Sequence, residues 1–456
     1  VLAALAAALV PHVQQLSANR VSVVLWAFGR AGFRDQHLLQ QLTSRTRHLL
    51  QEQQQQQQGQ QQEMKLGRAA ARQLKLVQFD ATALSNTVWG LSALQWHDPQ
   101  VMAAAASLGG ADPLLYEFRP YEAVNLLKGF AAAASAAAQG DADGIGSSSS
   151  SSSIADEEAA VHQQVQEEHQ PINKEAAAAA AVPDTRLAIQ LWPAACAVAS
   201  AALRRLDEAS PQCVVRVMWA LAALHQAAAH SQQQQQQQGP PLSAAATQDG
   251  RVVFGQLAAA LQLQWSRQAA HPVGLTVASW SLVMAQESGL VPALLLQEPG
   301  KGSHAAAVLQ QLLQATVASA QQQQLKGYQV ADLAAAFDRL SRPLQGTGLM
   351  QQGGSSIASS SSSSSEASAA AAAAEPSAQS AEGQQLLGQL AAAVAALAGA
   401  AQQSAADAAP GQLSVYDVSK MLAAFGRMQV RQAGRRAVYS NVVCKMLLNV
   451  FIAAIV

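Results

Sequence analysis

The chain has 456 residues, room for two or three domains, yet only 12% are charged, about half the share usual for a soluble domain. That composition excludes a charge-rich tail protein and a coiled coil. With 28 Lys+Arg against 29 Asp+Glu the formal charge is −1, so nucleic-acid affinity cannot come from bulk charge and must come from local patches.

In chain order, four segments share one frame: VSVVLWAFGRAGF around Trp26, ALSNTVWGLSAL around Trp89, CVVRVMWALAAL around Trp219 and LTVASWSLVMA around Trp280. Three weaker copies fit it, with Lys128, Ala335 and Ala423 in the Trp slot. The residue after the slot is always small: Ala27, Gly90, Gly129, Ala220, Ser281, Ala336, Ala424. The next is always Phe or Leu: Phe28, Leu91, Phe130, Leu221, Leu282, Phe337, Phe425. A bulky anchor beside a small residue suits a helix packed closely on its neighbours, so the four tryptophans are expected to be structural anchors. Nine positions before the slot stand Ser17, Asp80, Arg119, Ser210, His271, Lys326 and Ser414, four of them good N-cap types. Pro120, Pro211 and Pro272 follow in three copies, where a first-turn proline loses no helical hydrogen bond.

Second amphipathic stretches begin at His37, Leu191, Val253, Ala305 and Gln385, each with apolar residues at helical spacing. One unit is therefore a helix pair. The fold expected is all-α, an α-solenoid of about seven helix-turn-helix repeats interrupted by disordered low-complexity insertions. Repeats 1 to 3 fall in residues 1–138, with a Gln-rich insert at 51–62. An acidic Ser/Ala-rich insertion follows at 139–182, and repeats 4 to 6 occupy 183–345, with a Gln-rich insert at 231–250. A Ser/Ala linker spans 346–383, and a final repeat, cut short, spans 384–456. The inserts are expected to be disordered because they bury too little apolar surface to offset their ordering entropy. A chain opening on Val1 is expected to lack its original start, and with it any targeting peptide.

Enzyme signatures are missing: no P-loop, HExxH, GxSxG or strand-linked GxGxxG stands in an interpretable context. Cys196, Cys213 and Cys444 have no ligand or disulfide spacing, and His225 with His230 reads as a helix end running into a glutamine tract. No metal, cofactor or catalytic residue is assigned. The apolar run from Met446 is too short for a membrane span.

Binding is expected on the first helices. Residues seven and three before the slot lie four apart, hence on one face, and vary from copy to copy. The RNA-reading candidates among them are Asn19, Thr82, Asn86, Tyr121, Asn125, Gln212, Arg216, Tyr328, Asp332, Tyr416 and Lys420, with Val23, Val273 and Val277 as apolar members. Amides, Arg and Tyr are the side chains that pair with or stack on unpaired bases, although a plain solvated face would vary in the same way. The insertion at 139–182 holds eight acids and one base, a charge of −7, which leaves the rest of the chain at +6. Lys65, Arg68, Arg72, Lys75, Arg427, Arg431, Arg435 and Arg436 are the phosphate-contact candidates, or else an ordinary solvated face.

The frame L-S-N-x-x-W-A/G-L, clearest in Asp80–Leu94, Ser210–Leu224 and Ser17–Arg30, resembles the octotricopeptide and FAST-kinase/RAP-type helical repeats. The proline-rich motif of that group survives at most as His97-Asp98-Pro99-Gln100, and no RAP module follows Lys445. The resemblance implies a factor that binds single-stranded RNA of an organellar transcript, in the chloroplast or else the mitochondrion. Such a factor acts on translation, stability or processing, with other RNA-processing or translation proteins as further partners. The alternative is an armadillo-like protein-binding scaffold without RNA activity.

Overall fold

The structure, a computed structural model, describes residues 2–62, 78–111, 114–139, 186–234, 243–268, 270–291, 304–341 and 379–407. Every regular element among them is helical. The chain divides into two compact units, Val1–Phe254 and Gly255–Val456.

In the first unit, α1 (Leu2–Leu9) and a 3-10 turn lead into α2 (Ala18–Ala31) and α3 (Gln36–Gln62). Then come α4 (Ala81–Ala93), α5 (Pro99–Gly109), α6 (Pro120–Gln139), α7 (Leu187–Leu203) and α8 (Pro211–Gln234). The helix α9 (Ala244–Arg267) contains the division between the units. Helices α2, α4, α6 and α8 pack side by side in chain order, and α3, α5 and α7 do the same. The second unit holds α10 (Pro272–Glu287), α11 (His304–Gln321), α12 (Gly327–Leu340) and α13 (Gln379–Asp407). There α10 packs on α12 and α11 on α13.

All six described first helices start at the residue after the expected cap position. Asp80 Oδ1 accepts from the Ala83 N–H at 2.7 Å, and Ser210 Oγ accepts from the Cys213 N–H at 3.3 Å. Proline occupies the first helical position of α6, α8 and α10, as the spacing predicts.

The small column after the Trp slot works by close approach. A Cβ at Gly90 would lie 2.7 Å from the backbone carbonyl of Leu25, and one at Gly129 would lie 3.0 Å from the Val88 carbonyl oxygen. Leu25 and Val88 each stand one position before the slot of the preceding copy, so equivalent positions meet at successive seams. The Phe/Leu column two after the slot is the true anchor, with Leu91, Phe130, Leu221, Leu282 and Phe337 fully buried. Each contributes about 1.5–3 kcal/mol by leaving water.

The tryptophans require a correction. Trp26 is 43% exposed, and Trp89, Trp219 and Trp280 are only half-buried. The buried stripe runs through positions five and one before the slot and two after it, spaced four and three, and the slot lies off that stripe. The fully buried tryptophan is Trp192, outside the repeated column, whose indole N–H donates to the Ala246 carbonyl at 2.9 Å.

Segment 51–62 is a second correction: it continues α3 instead of forming a loop. Glutamine is a good helix former, and the side chain of Gln53 is used twice. Its amide N–H donates to the Phe79 carbonyl at 3.2 Å while its oxygen accepts from the Phe79 N–H at 2.7 Å. The insert at 231–250 is likewise shorter than expected, since 231–234 end α8 and 244–250 begin α9 behind a Ser243 cap. Residues 379–383 of the expected linker belong to α13. The remainder of the acidic insertion after Gln139, the linker up to 378 and the last copy's first helix from Ser414 lie outside the described residues.

Candidate nucleic-acid interface

The chain builds this face by leaving two positions of each first helix off the buried stripe. Asn19, Thr82, Gln212 and Arg216 are exposed, Tyr121 is 49% exposed, and Asn86, Asn125, Tyr328 and Asp332 are half-buried. None of these nine is buried. Because α2, α4, α6 and α8 lie side by side, Asn19, Thr82/Asn86, Tyr121/Asn125 and Gln212/Arg216 occupy equivalent positions on four adjacent helices of the first unit. Tyr328 and Asp332 sit on α12 of the second unit, where the Lys326 ammonium lies 5.9 Å from the Tyr328 ring centre. Tyr416, Lys420 and all eight phosphate-contact candidates, Lys65, Arg68, Arg72, Lys75, Arg427, Arg431, Arg435 and Arg436, lie outside the described residues.

Two members of the face are tied together by a residue that sequence reasoning passed over. Glu122, only 3% exposed, accepts from the Thr82 hydroxyl at 2.6 Å and from the Tyr121 hydroxyl at 3.1 Å, both through Oε1. Its Oε2 accepts from the Arg119 N–H at 2.8 Å, the reciprocal half of a capping box. Burial and then the Glu122 carboxylate raise the Tyr121 pKa, with Arg119 opposing, so the phenol stays protonated near neutrality. The signal was present in the sequence as Glu at the third helical position. Its reach to Thr82, forty residues earlier, needed the fold.

Near the start of α6 a second feature was missed. The Arg204 guanidinium lies 4.8 Å over the Tyr116 ring, and Tyr116 is 64% exposed, so an aromatic and a cation are presented together.

The titratable groups most displaced from their ordinary values lie away from this face. Burial, assisted by Arg34, brings His97 down to about 4; burial, assisted by Arg251, does the same for His225, whose ring lies tilted against that of Trp192 with centres 4.9 Å apart. Burial, assisted by Asp249, pushes the Cys196 thiol up to about 12, which makes it inert. Among the described residues no three His, Cys, Asp or Glu side chains come together to hold a metal ion, and no helix is long and apolar enough to cross a membrane. A depression of about 300 Å³ between α5 and α7, lined by Ala103, Ala106, Gly110, Pro193 and Ala194 with Ser107 and Gln190, carries no charged group.

Compared with known proteins, the chain matches no family model and no curated protein.

Proposed function

We propose that the helix pairs form an α-solenoid of seven repeats that binds single-stranded RNA along its first helices. The observation that carries this reading is the outward column of Asn19, Thr82/Asn86, Tyr121/Asn125 and Gln212/Arg216 on four helices packed in order. Side chains that pair with base edges or stack on base faces recur there at one register, while the neighbouring columns are fixed by packing. The resemblance to octotricopeptide-type repeats supports an organellar transcript as the target, in the chloroplast or else the mitochondrion. It also supports control of translation, stability or processing by occupancy. No chemistry on the RNA is required of the protein.

A second reading, a protein-binding scaffold, draws on Val23 at 58% exposed and Trp26 at 43%, apolar groups that suit a peptide better than a base edge. Ultraviolet crosslinking of the tagged protein in its own cells, followed by sequencing of bound RNA, separates the two. A sharp peak on a few organellar transcripts is expected. Recovery of protein partners with no RNA above an untagged control would refute RNA binding. In solution, RNA affinity should fall steeply with salt through counterion release, and Asn86→Ala with Arg216→Ala should abolish selectivity while leaving the helix content unchanged.

A further inference from the structure

The Thr82–Glu122–Tyr121 cluster limits what those two side chains can do for a ligand. A hydroxyl has one proton, and the Thr82 proton is committed to Glu122 Oε1 at 2.6 Å. The exposed Thr82 oxygen therefore has only lone pairs left to offer. The Tyr121 hydroxyl is likewise turned to Glu122, at 3.1 Å, so its polar edge is occupied while the side chain remains 49% exposed. The carboxylate that imposes both restrictions is 3% exposed and is also held by the Arg119 N–H, so it does not swing out to solvent to release them. Among the six described copies the equivalent positions hold Arg20, Ala83, Cys213, Gly274 and Gln329, and no other carries a carboxylate. The device is local to the seam between α4 and α6, which pack against each other.

Resting on the RNA-binding reading above, we infer that Glu122 is a positioning residue that makes this seam a selective two-nucleotide subsite. Thr82 acts there solely as an acceptor toward the 6-amino group of adenine or the 4-amino group of cytosine. The Tyr121 ring stacks on the neighbouring base without reading it. Asn86, one turn along the same helix, has both a donor and an acceptor and completes the pair on the amine-bearing base. A base with a carbonyl at the amine's position, uracil or guanine, would set lone pair against lone pair at Thr82 and be rejected. Were Thr82 free to rotate, its hydroxyl would donate to that carbonyl and the discrimination would vanish.

The test is selection of a random single-stranded RNA pool on the full chain and on four variants, each checked for unchanged helix content. The wild type is expected to select one position restricted to adenine or cytosine, next to a position of any base. Thr82→Ser should keep that restriction and Thr82→Val should erase it, with the rest of the selected motif intact. Glu122→Gln, whose amide N–H can donate to Thr82 and so free its proton, should relax the restriction toward all four bases with affinity changed less than threefold. Tyr121→Ala should lower affinity roughly tenfold to a hundredfold without changing which bases are chosen. A selected motif that is identical for wild type, Thr82→Val and Glu122→Gln overturns the subsite while leaving RNA binding in place. Failure of the wild type to enrich any sequence overturns both.

Discussion

Adding one methyl group at Gly90 is expected to destabilise the first unit, although the same change in most helix interiors stabilises. The added Cβ would stand 2.7 Å from the Leu25 carbonyl carbon and oxygen and 3.1 Å from the Leu25 Cβ. Carbon contacts are comfortable only at about 3.5–4.0 Å, so α2 and α4 would have to part by about 0.8 Å along a seam of buried side chains. The obstacle is backbone, which has no rotamer to swing aside. Overpacking of this kind costs up to about 3 kcal/mol, and replacing Gly by Ala in a helix returns about 1, for a net loss of about 2 kcal/mol. Gly255 in α9 is the control, since a Cβ there meets nothing within 4 Å, and its replacement by Ala is expected to gain up to about 1 kcal/mol. Urea unfolding followed by circular dichroism, with calorimetry to separate the two units, reads both changes. A midpoint raised by Gly90→Ala to the same extent as by Gly255→Ala would refute the close-packed seam.

Three further outcomes follow from the same geometry. Gln53→Ala should cost about 2–4 kcal/mol, because it strips two hydrogen bonds from the buried backbone of Phe79, whereas the exposed Gln51→Ala should stay within about 0.5; chemical denaturation compares them. Trp192→Ala should cost about 3–5 kcal/mol, and Trp26→Ala, 43% exposed, much less, a contrast readable in melting temperatures. His225, neutral when folded with a pKa of about 4, takes up a proton first in the unfolded chain. Stability is therefore full above about pH 6.5 and is lost as pH falls toward 4, by an amount on the order of 3 kcal/mol. His225→Phe should shrink the fall in urea midpoint between pH 7.5 and pH 5, and an unchanged fall would show that His225 is not the group responsible.

How much of this was legible beforehand depended on whether a signal was local. The starts of the first helices were legible because Asp80, Ser210 and the prolines at 120, 211 and 272 act within one turn of the residue that carries them. Helix α5 was missed because eleven residues centred on four alanines show little amphipathic contrast, yet its start was written in Asp98-Pro99. Asp98 Oδ1 accepts from the Val101 N–H at 2.9 Å, and Pro99 opens the helix. The physical role of His97-Asp98-Pro99-Gln100 is thus a helix cap. The Gln53 clamp on Phe79 and the Glu122 bridge to Thr82 span 26 and 40 residues, so composition alone makes the first look like loop, and no local signal shows the second.

The tryptophan column shows why repetition and burial must be argued separately. A residue recurs at one position of a repeat whenever neighbouring repeats meet there in the same way, and that meeting need not be in the core. The Trp89 ring reaches the seam with α2, where a Cβ on Gly29 would lie 3.3 Å from it, and it is still half-buried. On Trp26 the same position is 43% exposed. Phe28 and its equivalents are chemically plainer, yet they lie three and seven positions from other buried residues and complete the stripe. The same reasoning applies to the proposed reading face. Positions seven and three before the slot fall outside the buried stripe, so core packing does not fix their identity, although Glu122 ties Thr82 and Tyr121 together across the α4–α6 seam.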